Sequence, residues 1–450
     1  MKYKKLYGAK GLAYNRFFSE TLPSLEEEDV MGSERKDIKY QLQQGYKLQT
    51  LMHRVNCESL RKQHDKQSYD KAEGIDKMTK DWYTANLENN INDLIHRMKN
   101  FSYKPKPVKR TYIPKANGKL RPLGIPSYED KLVQGVMAEI LVEIYENIFL
   151  DFSYGFRPER SCHDATAFIN HTIMTKKVNY IVDADIKGFF DNVNHDILIK
   201  MLEVTIADKN FIRYIIRFLK SGYMENGRYY DTLKGTPQGG LISPVLANVY
   251  LHYVLDKWFE SWIKPRCKGE VYMVRYADDF LVMFQYENEA RSFLKVLDKR
   301  FKQFGLELEH TKTRLLPFGR FKGNKDSFDF LGFRFINGKT RTGKYRVVVK
   351  TSKKKLKQKK AEVSKWLHDR MHNDIFKTLE KIKLKVIGHY AYYGINGNFD
   401  DLNKFYKYVK YKFYKVLTRR GQKHAIPYKR YLEYWNFAAI PKPMIFVNIW

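Results

Sequence analysis

The chain has 450 residues, material for two to four domains at ~100 to 200 residues each, and 82 Lys and Arg stand against 50 Asp and Glu, a formal net charge of +32. So large an excess implies a polyanionic partner, nucleic acid first among them, and the 15% aromatic content suits faces that stack bases. No apolar run reaches the ~18 to 20 residues that span a membrane, the start MKYKKLYGAK has no apolar signal core, and Cys57, Cys162 and Cys267 form neither a CxxC pair nor an even disulfide set. Membrane insertion and secretion are therefore disfavoured, and a reducing cytoplasm is the expected location.

Residues 1–45 read as an N-terminal extension, mixed in character and including the acidic run from Ser24 to Asp29. From Asp37 to Asn100 the periodicity is mostly helical, with Leu87, Ile91, Leu94, Ile95 and Met98 on one face. Between Tyr103 and Pro126 short extended pieces punctuated by prolines flank Asn117-Gly118, a hairpin signal, which predicts a two-stranded basic arm. Strands over 179–186 and 271–284 alternate with helices over 128–149, 194–220 and 287–304, so the expected fold class is α+β. After Phe335 the strand signals fade, and a separate basic helical domain starts near residue 345. Residues 341–420 carry 23 Lys or Arg against 6 Asp or Glu. Within that region Phe399, Leu402, Phe405, Tyr406, Val409, Phe413 and Val416 form an apolar stripe that reads as core. The surrounding lysines, Lys404 and Lys407 among them, and the cluster Lys353, Lys354 and Lys355 are the candidates for nucleic-acid contact.

Two segments carry the chemistry. In the first, VYMVRYADDFLVMF (271–284), Asp278 and Asp279 stand between two apolar runs; on paired strands they sit at a hairpin tip, where adjacent like charges need compensation. In the second, NYIVDADIKGFFD (179–191), Asp183 and Asp185 share one face of an apolar strand. Bringing Asp185 beside Asp278 and Asp279 yields a cage for two Mg2+ ions, a pair suited to phosphoryl transfer. Asp183 and Asp191 read as supporting residues. Between the two lies KGTPQGGLISPVLANVY (234–250), where Gly239 and Gly240 allow close backbone approach and Ser243-Pro244 starts a helix, so that the loop walls a nucleotide site.

Tyr276-Ala277-Asp278-Asp279 resembles the YxDD box of reverse transcriptases, and the string before it resembles their PQG box. The ordered set GKLRPLGIP (118–126), YGFRPERS (154–161), the Asp185 strand, these two boxes and DFLGF (329–333) is similar to group II intron reverse transcriptase/maturases, and GHYAYYG (388–394) and LTRRGQ (417–422) resemble their thumb or maturase domain. The resemblance implies a right-hand polymerase with fingers over 46–160 and palm over 161–340, then an all-α basic thumb over 341–425 and a tail over 426–450. It implies catalysis by Asp185, Asp278 and Asp279, with the Ile186 main chain as a further metal ligand. Lys119 and Arg121 would grip the triphosphate, Phe189 or Phe190 would exclude a 2′-hydroxyl, and Gln238 would line the templating pocket. Lys312 matches a lysine that protonates the departing pyrophosphate, with a solvated lysine as the alternative. Arg157, Arg160, Arg419 and Arg420 join the nucleic-acid candidates, the first two as template or structural residues. The implied partners are group II intron RNA or another RNA template, a DNA primer or target, and deoxynucleoside triphosphates. No His-Asn-His endonuclease cluster is present, so second-strand cleavage is not expected. Two other readings stay open: a polymerase of this type recruited to host defence or repair, and an RNA-binding splicing factor without polymerase activity.

Overall fold

Helices begin where the sequence supplies caps. In the computed structural model, which describes residues 38–114, 118, 120–236, 239–322, 326–420 and 425–450, Asn56 caps the helix Cys57–Lys66 through a reciprocal box with Ser59, and Ser161 does the same for Cys162–Thr175 with Asp164. The helix Leu87–Lys99 buries Ile91, Leu94, Ile95 and Met98, the face its spacing predicts. Lys119 and Gln238 lie outside the described residues, as does all but the end of the 1–45 extension.

Eleven named strands make three sheets among the described residues. Strands β1 (Val108–Pro114) and β2 (Leu120–Ile125) form the expected antiparallel arm. The helix Tyr128–Glu146 leads from it to β3 (Tyr180–Ala184), and β4 (Tyr223–Glu225) and β5 (Arg228–Tyr230) then return to the arm, giving the order β2-β1-β4-β5. Next come β6 (Val271–Tyr276), β7 (Asp279–Phe284) and β8 (Arg314–Pro317), which join β3 in a sheet of order β6-β7-β3-β8. Last are β9 (Ser327–Phe330), β10 (Phe333–Lys339) and β11 (Tyr345–Thr351), an antiparallel sheet of order β11-β10-β9. The α+β expectation stands.

The β6-β7-β3-β8 sheet is buried on both faces, which explains why its strands read as continuous apolar runs. Val182, Ala184, Met273, Phe280 and Val282 face one core, shared with the helices Tyr128–Glu146, Ser243–Leu251 and Glu287–Gln303. Ile181, Val274, Leu281 and Met283 face a second core, shared with β9 to β11 and the C-terminal helices Lys353–His368, Ile375–Tyr393 and Phe399–Thr418. The sheet therefore joins the two halves of the chain.

Three expectations change. The segment 194–220 is two helices, His195–Glu203 and Lys209–Leu219, because Asp208 caps the second through Asn210 and Phe211 while its other oxygen accepts from the Leu51 and Met52 amides. Strand structure does not fade after Phe335: β10 and β11 pair over seven residues with Phe333, Phe335, Val347 and Val349 buried, and the basic helical region begins at Lys353. The half-buried face of that ribbon carries Arg334, Arg346 and Lys350, so its one-sided alternation gives a weak strand signal in a basic stretch. In the helix Phe399–Thr418, Leu402, Phe405, Val409, Phe413 and Val416 are buried as expected, whereas Phe399 is 50% exposed and Tyr406 half-buried.

Candidate active site

Strand β3 pairs with β7 in antiparallel register, Ala184 opposite Phe280. Asp185 and Asp279 are the next residues beyond that last pair, at the same end of the sheet, and strand alternation puts them on the face of Asp183 and Leu281. Asp279 begins β7 opposite Tyr276, so Ala277 and Asp278 are the two turn residues of the hairpin. Asp279 is exposed and Asp185 and Asp278 half-buried. Two of the three expected carboxylates thus share one face at the open end of the sheet, and the third stands at the adjoining turn.

The same face carries compensating cations. Lys312, two residues before β8, forms an ion pair with Asp185, and the hydrogen bond to that carboxylate holds the ammonium above the ordinary lysine range. Arg314 donates to Asp183 at 2.8 Å; burial raises the Asp183 carboxyl above its usual range while the guanidinium opposes the shift. Asp183 is thereby a paired supporting residue. Among the described residues no group of three or more His, Cys, Asp or Glu side chains is drawn together as a metal cage. The expected ligand set is therefore assembled only in part, with Lys312 neutralising Asp185.

The donor chemistry suits a hard cation nonetheless. Glu309 donates its amide to the Asp185 carbonyl at 2.8 Å and Lys187 donates to the Glu307 carbonyl at 2.9 Å, bracketing an antiparallel bridge between Ile186 and Leu308. In that pattern the Ile186 carbonyl points away from Leu308, towards the β7 side. Like the carboxylates of Asp185 and Asp279, it is an oxygen donor of the kind hard divalent cations take.

The loop before the helix Ser243–Leu251 closes another side. Gly239 sits at φ +119°, and a Cβ there would lie 2.3 Å from the carbonyl oxygen of Gly124 in β2, so the loop backbone touches the arm in a way only glycine permits. Thr236 and Gly235 donate to the carbonyls of Phe190 and Val193, each at 2.7 Å, tying the loop to the segment after Asp185. Phe189 is 2% exposed and packs in the first core, whereas Phe190 is half-buried, so of the two proposed sugar gates only Phe190 has a reachable ring. Arg121 is exposed on β2.

Nucleic-acid candidates divide. Arg157 is 3% exposed and directs its guanidinium inward to Glu146 and to the carbonyls of Leu150 and Ser153, which makes it a structural residue. Arg160 pairs with Asp151, Lys404 with Asp401, and Arg420 donates to the Asn373 carbonyl. Lys353, Lys354, Lys407 and Arg419 are exposed and Lys355 half-buried. Sequence reasoning overlooked Arg275 and Asp256, a fully buried ion pair beneath the Asp278 turn. The available signal was a charge inside an apolar strand, which must find a partner.

Residues 113–335 match the family model for reverse transcriptase (RNA-dependent DNA polymerase). The chain is 36% identical over 263 residues to the group II intron-encoded protein LtrA of Lactococcus lactis, covering 54% of this chain and 44% of that one. It is 33% identical over 311 residues to protein YkfC of Escherichia coli, 61% of this chain and 78% of that one. A 91 kDa protein in the cob intron of Schizosaccharomyces pombe is 42% identical over 171 residues, 38% of this chain and 21% of that one. The chain thus spans less than half the length of LtrA. With the paired strands β3 and β7 inside the matched region, the chain belongs to the reverse transcriptase family, alongside group II intron-encoded proteins.

Proposed function

We propose that the chain is an RNA-directed DNA polymerase that also binds the intron RNA encoding it. The observation that supports the reading is the register of β3 on β7, whose last pair, Ala184 and Phe280, leaves Asp185 and Asp279 at one end of the sheet, with Lys312 ion-paired to Asp185. In polymerase terms the β1-β2 arm serves as fingers, the β6-β7-β3-β8 sheet as palm, and the helices from Lys353 onward as a thumb that grips RNA. No described helix is long and apolar enough to cross a membrane. We place its work in the cytoplasm of the host cell.

Two Mg2+ ions bound at Asp185, Asp279, Asp278 and the Ile186 carbonyl would lower the pKa of a primer 3′-hydroxyl and neutralise the triphosphate. The protein's part is orientation. Arg121 and Lys119 bind the β- and γ-phosphates through charge-assisted hydrogen bonds; Phe190 packs beneath the sugar and excludes a 2′-hydroxyl; Gln238 lines the templating pocket. Lys312, drawn from Asp185 by the phosphates, would give a proton to the departing pyrophosphate. The Lys353–Lys355 cluster, Lys407 and Arg419 supply the salt-sensitive grip on RNA.

The test is primer extension on an RNA template with Mg2+ and deoxynucleotides, beside an RNA-binding titration. The wild type extends and binds; the Asp278→Ala, Asp279→Ala variant binds RNA with the same salt dependence but does not extend. Extension by that variant would refute the assignment. Failure of the wild type on every RNA template would favour a splicing factor without polymerase activity.

A further inference from the structure

The turn that carries Asp278 and Asp279 is held in a shape its own residues disfavour. Ala277 sits at φ +58°, in the left-handed region that glycine populates readily and alanine does not. Such a conformation persists only where surrounding structure imposes it. From one side Gly155 presses so close that a Cβ there would lie 2.3 Å from the Ala277 amide nitrogen. From within, Arg275 donates through Nη1 to the Ala277 carbonyl at 3.0 Å.

Arg275 is itself clamped. It is 0% exposed, on the β6 face that looks into the first core, and its guanidinium is fully engaged there. Nε donates to Asp256 Oδ1 at 2.7 Å and Nη2 to Asp256 Oδ2. Nη2 also donates to Ser153 Oγ at 2.7 Å, and Nη1 to Asn248 Oδ1 at 2.9 Å. Asn248 closes the circuit by donating Nδ2 to the Gly155 carbonyl at 2.7 Å. The Arg275 main chain is bonded as well, its amide to Phe152 and its carbonyl to the Tyr154 amide, both at 2.8 Å.

The helix after the 234–240 loop is shaped for this grip. Asn248 and Asp256 are eight residues apart, and a regular α-helix would turn their side chains about 80° away from each other. The run His252–Asp256 is π-helical, and the wider i→i+5 turn takes fewer degrees per residue, which returns Asp256 towards the Asn248 face. A buried ion pair is seldom the most stable filling of a core, because apolar side chains of similar volume serve as well or better. Its value here lies in fixed direction: a planar fork of donors gripped on three sides.

We propose that Arg275, held by Asp256 and Asn248 of the helix that follows the 234–240 loop, is the positioning residue that fixes the 276–279 turn and so aims Asp278 and Asp279 at Asp185. The proposal rests on the polymerase reading and adds to it a mechanical link between the nucleotide-loop helix and the catalytic turn. It acts through the carboxylates rather than on substrate.

The test replaces both charges at once, Asp256→Leu with Arg275→Met, so that no unpaired charge is left inside. The full chain is assayed for thermal midpoint, RNA affinity, KM for deoxynucleotide and single-turnover kcat in Mg2+. A positioning role predicts a folded protein with RNA affinity and KM within about twofold of wild type and kcat lowered on the order of 100-fold, the cost of a small misplacement of reacting groups. A folded double variant with wild-type kcat overturns the proposal. Should the double variant not fold, Asn248→Ala removes one arm of the grip; a wild-type kcat there overturns it equally, and a fall in kcat at constant KM supports it. A wild-type protein that extends no primer removes the polymerase reading and this proposal together, whereas an active wild type beside an equally active variant removes the proposal alone.

Discussion

Lys312 is ion-paired with Asp185, so an intramolecular cation neutralises the carboxylate that stands with Asp279 at the end of the β3-β7 pairing. The lysine side chain is two-thirds exposed and the aspartate mostly covered, which leaves the ammonium free to swing away while the carboxylate stays. In Lys312→Met the carboxylate loses its internal partner. Mn2+ titrated into the free protein should bind several-fold more tightly than to wild type, since no ammonium competes for the site. Single-turnover extension should fall on the order of 100-fold, as for the loss of a general acid. Unchanged metal affinity together with an unchanged rate would make Lys312 a solvated bystander.

Gly239 tests the contact between the 234–240 loop and the arm. Gly239→Ala places a Cβ 2.3 Å from a main-chain oxygen at a φ of +119°, so either the loop or β2 must move. A cost of about 1 to 3 kcal/mol in local strain is expected. The readout is a rise in KM for deoxynucleotide with RNA affinity unchanged; an unaltered KM would place the nucleotide elsewhere.

Phe190 and Phe189 separate sugar choice from packing. Phe190→Ala should raise ribonucleotide incorporation relative to deoxynucleotide on the order of 10 to 100-fold. Phe189→Ala, which empties a buried site, should instead cost about 3 to 5 kcal/mol of stability and leave sugar choice alone. Competition assays with mixed nucleotides and denaturant melts distinguish the two, and the reverse pattern would reassign the gate.

His389 sets an acid limit on the helical region. Its ring stacks on Phe405 at 3.8 Å and burial pushes its pKa down to about 3, with Lys359 adding to the shift. Between pH 6.5 and 3 the unfolded chain holds a proton on this imidazole that the folded chain does not. Stability therefore rises with pH across that window and is lost as the pH falls. From pH 7 to pH 5 the loss is about 2 kcal/mol from this residue. His252, also pushed down to about 3 by burial, adds a second increment of the same sign. His389→Phe should flatten the pH dependence of the thermal midpoint between 7 and 5; an unchanged slope would mean the ring is hydrated in the folded state.

Much of this was legible because the strands that bear the acids are buried on both faces. Apolar runs interrupted by Asp185 and by Asp278-Asp279 together point to a charged site, whereas the register of β3 on β7 that brings them to one sheet end is seen only in the structure. The β1-β2 arm was legible from Asn117-Gly118 for the same local reason. What escaped depends on partners far along the chain. Asp208 breaks the 194–220 helix because it also binds the Leu51 and Met52 amides, more than 150 residues earlier. Arg157 read equally as a template or a structural residue, and Glu146 with two carbonyls decides for the structural one. The β10-β11 ribbon was missed, its second strand falling where a basic helical domain was expected, because one face of the ribbon carries Arg334, Arg346 and Lys350. The π turn that points Asp256 inward has no marker in local composition.

The most direct measurement is a crystal structure of the protein with an RNA template, a DNA primer, a non-hydrolysable deoxynucleotide and Mn2+, using anomalous scattering to locate the metal. The account predicts two anomalous peaks between the carboxylates of Asp185 and Asp279, beside the Ile186 carbonyl, with Lys312 turned from Asp185 towards the triphosphate. Peaks away from this sheet end, or Lys312 still paired with Asp185 beside a bound nucleotide, would contradict it.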